Sequence, residues 1–286
     1  MRIANLSQRL VLVADDLALD VERASGGTFS ADPAAVFARW NEFAAWADSV
    51  DVTGHAASAP FSAADLDAPS PRPRQVIGVG LNYADHARES GLPIPERPVV
   101  FTKFASSVVG PDVDVHLPGD TVDWEAELVV VIGAGGRDIP ESEALSRVAG
   151  YTVGQDLSER TVQWQGQPAQ FSMGKSFEGF GPTGPVIVSL DEFADPGVLG
   201  ISTTIVGADG TEDRVQDGST DQLIFTVPQL VSILSQTLEL IPGDLIFTGT
   251  PSGVGAGMEP KRFLVDGESL VTEIEGIGKI TQRFHR

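Results

Sequence analysis

Glu125 and Glu127 stand two apart in Asp123-Trp124-Glu125-Ala126-Glu127, and the chain then runs Leu128-Val129-Val130-Val131-Ile132. In an extended chain, residues i and i+2 share a face, so the two carboxylates point the same way. The run after them is so apolar that both of its faces must be buried. Two like charges at its entrance repel unless protons or a cation stand between them. Carboxylate oxygens are hard ligands and suit Mg²⁺, Mn²⁺ or Ca²⁺. The alternative is a solvated strand end. Tyr151-Thr152-Val153-Gly154-Gln155-Asp156 reads as a second short strand ending in an acid. Asp156 is a third ligand if the two strand ends meet, and a helix N-cap if they do not.

Three other stretches carry chemistry-bearing groups. His86 and Glu89 are i and i+3, neighbours on one helical face. A carboxylate beside an imidazole fixes its tautomer and raises its basicity, as a general base requires; the alternative is a surface pair. Lysine occurs only at 103, 175, 261 and 279. Lys175, between glycine and aromatics in Gly174-Lys175-Ser176-Phe177, suits a substrate carboxylate or a developing enolate, or else a plain salt bridge. Thr248-Gly249-Thr250-Pro251-Ser252-Gly253 offers backbone N–H groups and hydroxyls to a carboxylate, or a structural turn.

Short strands must position these groups. Expected strands are Arg2–Leu6, Leu10–Val13, Leu17–Val21, Val76–Val79, Val99–Phe101, Leu128–Ile132, Tyr151–Val153, Val186–Leu190, Ile201–Val206, Leu245–Phe247, Ser269–Ile274 and Lys279–Phe284. Asp209-Gly210 marks a hairpin turn. Expected helices are Asp32–Val50, capped by Asp32 with Pro33 at N1, then Tyr83–Ser90, Glu141–Ala149 and Pro228–Leu240. The Ala/Ser/Pro-rich stretch 54–75 reads as a boundary, giving a small N-terminal α/β domain over 1–70 and a catalytic domain over 71–286. Many strands without regular βαβ spacing favour an α+β fold built on a mixed sheet.

Composition removes other chemistries. With no cysteine, the chain has no thiolate nucleophile, disulfide or Cys-ligated metal. A net charge of −21 argues against nucleic acid and anionic membranes as partners. No apolar stretch reaches the ~18 residues of a membrane span, and no signal-peptide core is present, so a cytoplasmic location is expected. Val129–Gly136 imitates a dinucleotide loop but places Asp138 at the third glycine position. Gly249–Gly257 lacks the Lys-Ser/Thr of a phosphate loop.

Taken in order, the segments resemble the fumarylacetoacetate hydrolase family. The matching pieces are VGLNYADHA at 79–87, DWEAELVVVIG at 123–133, AGYTVGQDLSER at 149–160, GKSF at 174–177, VQDGST at 215–220, PGDLIFTGTPSGVG at 242–255 and EIEGIG at 273–278. The resemblance implies a mixed β-sheet roll with flanking helices, commonly a homodimer. It implies Glu125, Glu127 and Asp156 as ligands of a divalent cation, usually Mg²⁺. It implies His86 and Glu89 as a dyad on an element that folds over the substrate, with Lys175 as the catalytic lysine. Gln155, Arg160, Gly249 and Thr250 become substrate contacts. Trp124 stands for a common Tyr, and Thr161 for a frequent Asp. The implied substrate is a small 2-oxo acid. Hydrolysis of an acylpyruvate is the favoured reaction. The alternatives are oxaloacetate decarboxylation, 2-hydroxyhepta-2,4-diene-1,7-dioate isomerisation, or a metal-binding dimer without catalysis.

Overall fold

The apolar run after Glu127 becomes the strand Ala126–Ile132, buried along its whole length inside a twelve-stranded sheet. The computed structural model describes residues 1–89, 91 and 93–286. From one edge the large sheet runs Val99–Thr102, Val76–Gly80, Leu245–Phe247, Ala126–Ile132, Val148–Gln155, Gly181–Val188, Arg2–Leu6, Arg9–Ala14, Leu17–Asp20 and Ala59–Pro60. Leu245–Phe247 and Val76–Gly80 are parallel, while Ala126–Ile132 is antiparallel to both of its neighbours. A five-stranded sheet holds Glu212–Ser219, Gly200–Val206, Ser269–Ile274, Gly278–His285 and Asp112–His116. The expected α+β fold on a mixed sheet is what the chain adopts.

Strand periodicity explains why the strand Ala126–Ile132 carries no polar residue beyond Glu127. Leu128, Val130 and Ile132 pack into one core with Tyr151, Val153, Leu230, Val231, Leu234 and the small-sheet residues Ile201 and Ile274. Val129 and Val131 face the opposite way, into a second core with Phe247, Phe37, Trp40 and Phe43. Residues 1–70, expected as a small domain of their own, thus share a core with the rest. They share its sheet too, because Arg2 and Ile3 pair with Val188 and Ile187.

Several elements are shorter than the pattern suggested. The helix expected over Asp32–Val50 divides into a 3₁₀ segment Ala35–Arg39 and an α-helix Trp40–Ala47. Asp32 is drawn off by Arg72 and caps only the Ala34 N–H. Glu141–Arg147 is 3₁₀ rather than α, because Val148 and Ala149 are claimed by the strand Val148–Gln155. The last helix runs Val227–Ser235, with the Gln229 side chain accepting from the Thr226 N–H at 3.1 Å. The short helix Ala84–Glu89 matches the Tyr83–Ser90 expectation, whose final residue, Ser90, lies outside the described residues. Among the described residues no helix is long and apolar enough to cross a membrane.

Candidate active site

One end of the large sheet gathers the candidate groups. Val76–Gly80 and Leu245–Phe247 end there, whereas Ala126–Ile132 begins there. Val148–Gln155, antiparallel to Ala126–Ile132, ends beside it, and the Asp156 N–H donates to the Glu125 carbonyl at 2.9 Å. The two strand ends meet. Glu125, Glu127 and Asp156 each place a carboxylate oxygen within 4.8 Å of the others, and all three are buried.

The charges around them are unevenly shared. Lys175 Nζ donates to Glu125 Oε2 at 2.8 Å, Asp156 Oδ2 at 2.6 Å and Ser158 Oγ at 2.8 Å. Arg160 Nη1 donates to Glu125 Oε1 at 2.7 Å, and its Nε to Asp123 Oδ2 at 2.8 Å. Lys103 Nζ donates to Asp156 Oδ1 at 2.6 Å and also to the Lys175 carbonyl. Among the described residues Glu127 receives only the Gly249 N–H, at 2.7 Å. Burial works to raise the Glu125 pKa, but Lys175 and Arg160 outweigh it and hold the carboxyl at about 2. Glu127 is pushed well above the usual carboxylate range, by burial first and then by Asp156 and Glu125. Burial also opposes the charge on Lys175, yet Asp156 and Glu125 prevail and its pKa stands above the ordinary lysine value. Four buried carboxylates face three cations, which leaves a negative excess centred on Glu127. That donor set fits a hard divalent cation.

The dyad lines the same cavity. His86 Nδ1 is 3.2 Å from Glu89 Oε2, and Glu89 also accepts from the Gly253 N–H at 3.0 Å. Ser252 Oγ donates to Asp85 Oδ2 at 2.8 Å, so both ends of the short helix are tied to the Ser252–Gly253 turn. Leu81, just before the helix, holds a left-handed φ of 56°, an uncommon backbone for a branched side chain. Together His86, Glu89, Glu125, Glu127, Arg160, Lys175 and Thr250 line a cavity of about 450 Å³. A larger cleft of about 890 Å³, beside Met1, Val13 and Val50, holds no such convergence.

Two expected substrate contacts do not reach this cavity. Gln155 is fully buried behind it, its Oε1 accepting from the Glu125 N–H at 2.8 Å and its Nε2 donating to Thr272 at 2.7 Å. Gly249 spends its N–H on Glu127, and its φ of 102° with Asn82 pressed close leaves no room for a side chain. Both act by positioning acids. Thr250 lines the cavity: Gln216 Nε2 donates to its Oγ1 at 2.8 Å, and among the described residues its hydroxyl proton has no acceptor.

Lys103, Asp123 and Gln216 carry the site but drew no role from sequence. Asp123 shares the i, i+2 spacing of Glu125 and Glu127, a signal that was available. It accepts from the Gly255 and Ala256 N–H groups at 2.8 and 2.9 Å, besides Arg160. Lys103 is fully buried against Asp156. Removing one partner of a buried ion pair costs about 3–5 kcal/mol. Lys103→Met should therefore lower unfolding stability by roughly that amount. A denaturant titration in which the midpoint barely moves would refute its place as the fixed counter-ion.

The comparisons agree with this architecture. A family model described as fumarylacetoacetate (FAA) hydrolase C-terminal matches residues 75–285. Human mitochondrial oxaloacetate tautomerase FAHD2A is 42% identical over 226 residues, which is 78% of this chain and 70% of that one. A crystal structure of a Mycobacterium smegmatis protein given as a candidate HpcE superposes with a TM-score of 0.92 at 51% identity, covering 100% of this chain and 99% of that one. Fumarylacetoacetate hydrolase from Exiguobacterium antarcticum superposes with a TM-score of 0.85 at 33% identity, covering 100% and 99%.

Proposed function

The chain belongs to the fumarylacetoacetate hydrolase family, and on that premise we propose that it hydrolyses a carbon–carbon bond in an acylpyruvate, a 2,4-dioxo acid, with Mg²⁺ as its cation. The observation that carries this reading is the His86–Glu89 pair, held at 3.2 Å and lining the same cavity as Glu125 and Glu127. A base in that position can serve a water molecule as well as a C–H bond. Glu125, Glu127 and Asp156 would hold the cation, which when bound supplies Lewis acidity to a 2-oxo group. Thr250 would orient the 1-carboxylate through its hydroxyl proton.

His86, steadied by Glu89, takes a proton from water, and the hydroxide oxygen bonds to C4. The C3–C4 bond breaks, and its electron pair passes through C3 toward the 2-oxo oxygen, where the positive charge of Lys175 would stabilise the developing charge. The proton on His86 returns to C3. The products are pyruvate and the carboxylic acid of the acyl group.

The second reading is keto–enol exchange of oxaloacetate, favoured by the human relative of that name. The same base would move a C3 proton without breaking a carbon–carbon bond. Pyruvate release from acetylpyruvate, followed beside oxaloacetate ketonisation on one preparation, separates the two. Ketonisation without pyruvate from any acylpyruvate would replace hydrolysis by tautomerisation.

We also propose a homodimer. The outer strand Val99–Thr102 supports it, with Val100 exposed on it and Phe104 just beyond. Light scattering should return twice the 30.2 kDa chain mass, and a monomer mass at micromolar concentration would refute it.

A further inference from the structure

We propose that the substrate's far end is apolar, an aryl or long-chain acyl group, and that Phe101, Phe171 and Trp164 form the wall that selects it. The inference rests on the 2-oxo acid reading of the same cavity and extends it to the part of the molecule remote from the acids.

The cavity has two unlike sides. The carboxylate and 2-oxo group of any such substrate belong with the acids, Arg160 and Lys175. That leaves most of about 450 Å³, far more than the fourth carbon of oxaloacetate needs. The remaining lining includes an aromatic chain. Phe101 and Phe171 meet edge to face at 5.9 Å, and Phe171 and Trp164 do so at 5.2 Å. Such contacts favour a further ring or an alkyl chain laid against them. Phe101 is the seam, because Lys175 Nζ lies 5.1 Å from its ring centroid. Its ring rests on Gly78, where any Cβ would fall 2.3 Å from ring atoms, so the strand sequence itself makes room for it.

Two further observations point to an apolar occupant. Trp164 lines the cavity yet is 57% exposed, an indole with over half its surface left to water that a ligand would cover. The two cations nearest the acids have no charge to spare for a second carboxylate. Arg160 is committed to Asp123, Glu125 and Gln163, and Lys175 to Glu125 and Asp156. Lys261 also lines the cavity and makes no ion pair among the described residues, so a second carboxylate is the competing occupant, and 2-oxoglutarate is its probe.

Binding can be read without turnover. On Mg²⁺-loaded protein, calorimetry would compare 2-oxobutanoate, 4-phenyl-2-oxobutanoate and 2-oxoglutarate, none of which carries a 4-keto group to be hydrolysed. The phenyl compound should bind at least about tenfold more tightly than 2-oxobutanoate, the worth of one good aromatic contact. Trp164→Ala should cut that ratio severalfold, and Phe171→Leu, which keeps the volume nearly constant, should do so as well. A ratio near one, or tightest binding of 2-oxoglutarate, would overturn the inference. A tenfold ratio unmoved by both substitutions would overturn the assignment of the wall. If the phenyl preference holds while no acylpyruvate is cleaved, the inference stands and the hydrolase reading falls. If none of the three acids binds, the 2-oxo acid reading falls and takes the inference with it.

Discussion

Exhaustive chelation with EDTA should abolish turnover, and Mg²⁺ or Mn²⁺ should restore it. The expectation follows from where the counter-charges lie. Arg160 serves Asp123 and Glu125, Lys175 serves Glu125 and Asp156, and Lys103 serves Asp156. Among the described residues Glu127 has only the Gly249 N–H, and Glu125 and Asp156 lie beside it. A buried carboxylate so placed needs either a proton or a cation, and a divalent ion satisfies all three acids at once. Glu127→Gln keeps the shape and the hydrogen bond but removes a ligand charge. It should weaken metal binding in calorimetry by at least about 100-fold, the upper end of what outer-shell changes cost. Full activity in protein shown to be metal-free by elemental analysis would end the cation assignment.

His86→Ala should slow acylpyruvate cleavage by about 10²–10⁴, the usual worth of a positioned general base. Metal affinity should persist, since His86 is bound to Glu89 and not to the acid triad. Glu89→Gln provides the internal check. It keeps an acceptor for His86 Nδ1 but loses the charge, so its effect should be smaller than that of His86→Ala and of the same sign. If acylpyruvate is cleaved at the wild-type rate without His86, water is activated elsewhere and the dyad is structural. If metal affinity falls together with the rate, the histidine acts through the acids.

Much of the site was legible because its chemistry is written locally. The i, i+2 acids, the i, i+3 dyad and a carboxylate at a strand end each need only one segment, and strand pairing then brings the segments together. Gln155 failed for an equally local reason. Successive residues of a strand point to opposite faces, so its nearness to Asp156 in sequence places it behind the site. Lys103 was illegible because its meaning lies in two contacts with residues 156 and 175, far away in the chain. The helix over Asp32–Val50 was overextended because the pattern of Phe37, Trp40 and Phe43 marks a buried face without fixing where the backbone changes pitch. The strands were found nearly everywhere they alternate or run apolar. Glu212–Ser219, an outer strand of the small sheet rich in polar side chains, lacks that signal, while Asp112–His116 at the other edge does alternate but holds only two apolar residues, Val113 and Val115.

The pairing of Arg2–Leu6 also sets a schedule for the ribosome. On one side this first strand meets Arg9–Ala14 at once. On the other, Leu66–Asp67 soon covers Asn5 and Leu6, but Arg2 and Ile3 wait for Val188 and Ile187. At ~5–20 residues per second that interval is roughly 10–40 s. Through it the nascent chain carries a meander with an unsatisfied backbone edge next to Ile3, the kind of edge that recruits other chains. The order of synthesis thus leaves the first strand waiting longest for its partner, and any factor that shields new chains has this short stretch to guard longest.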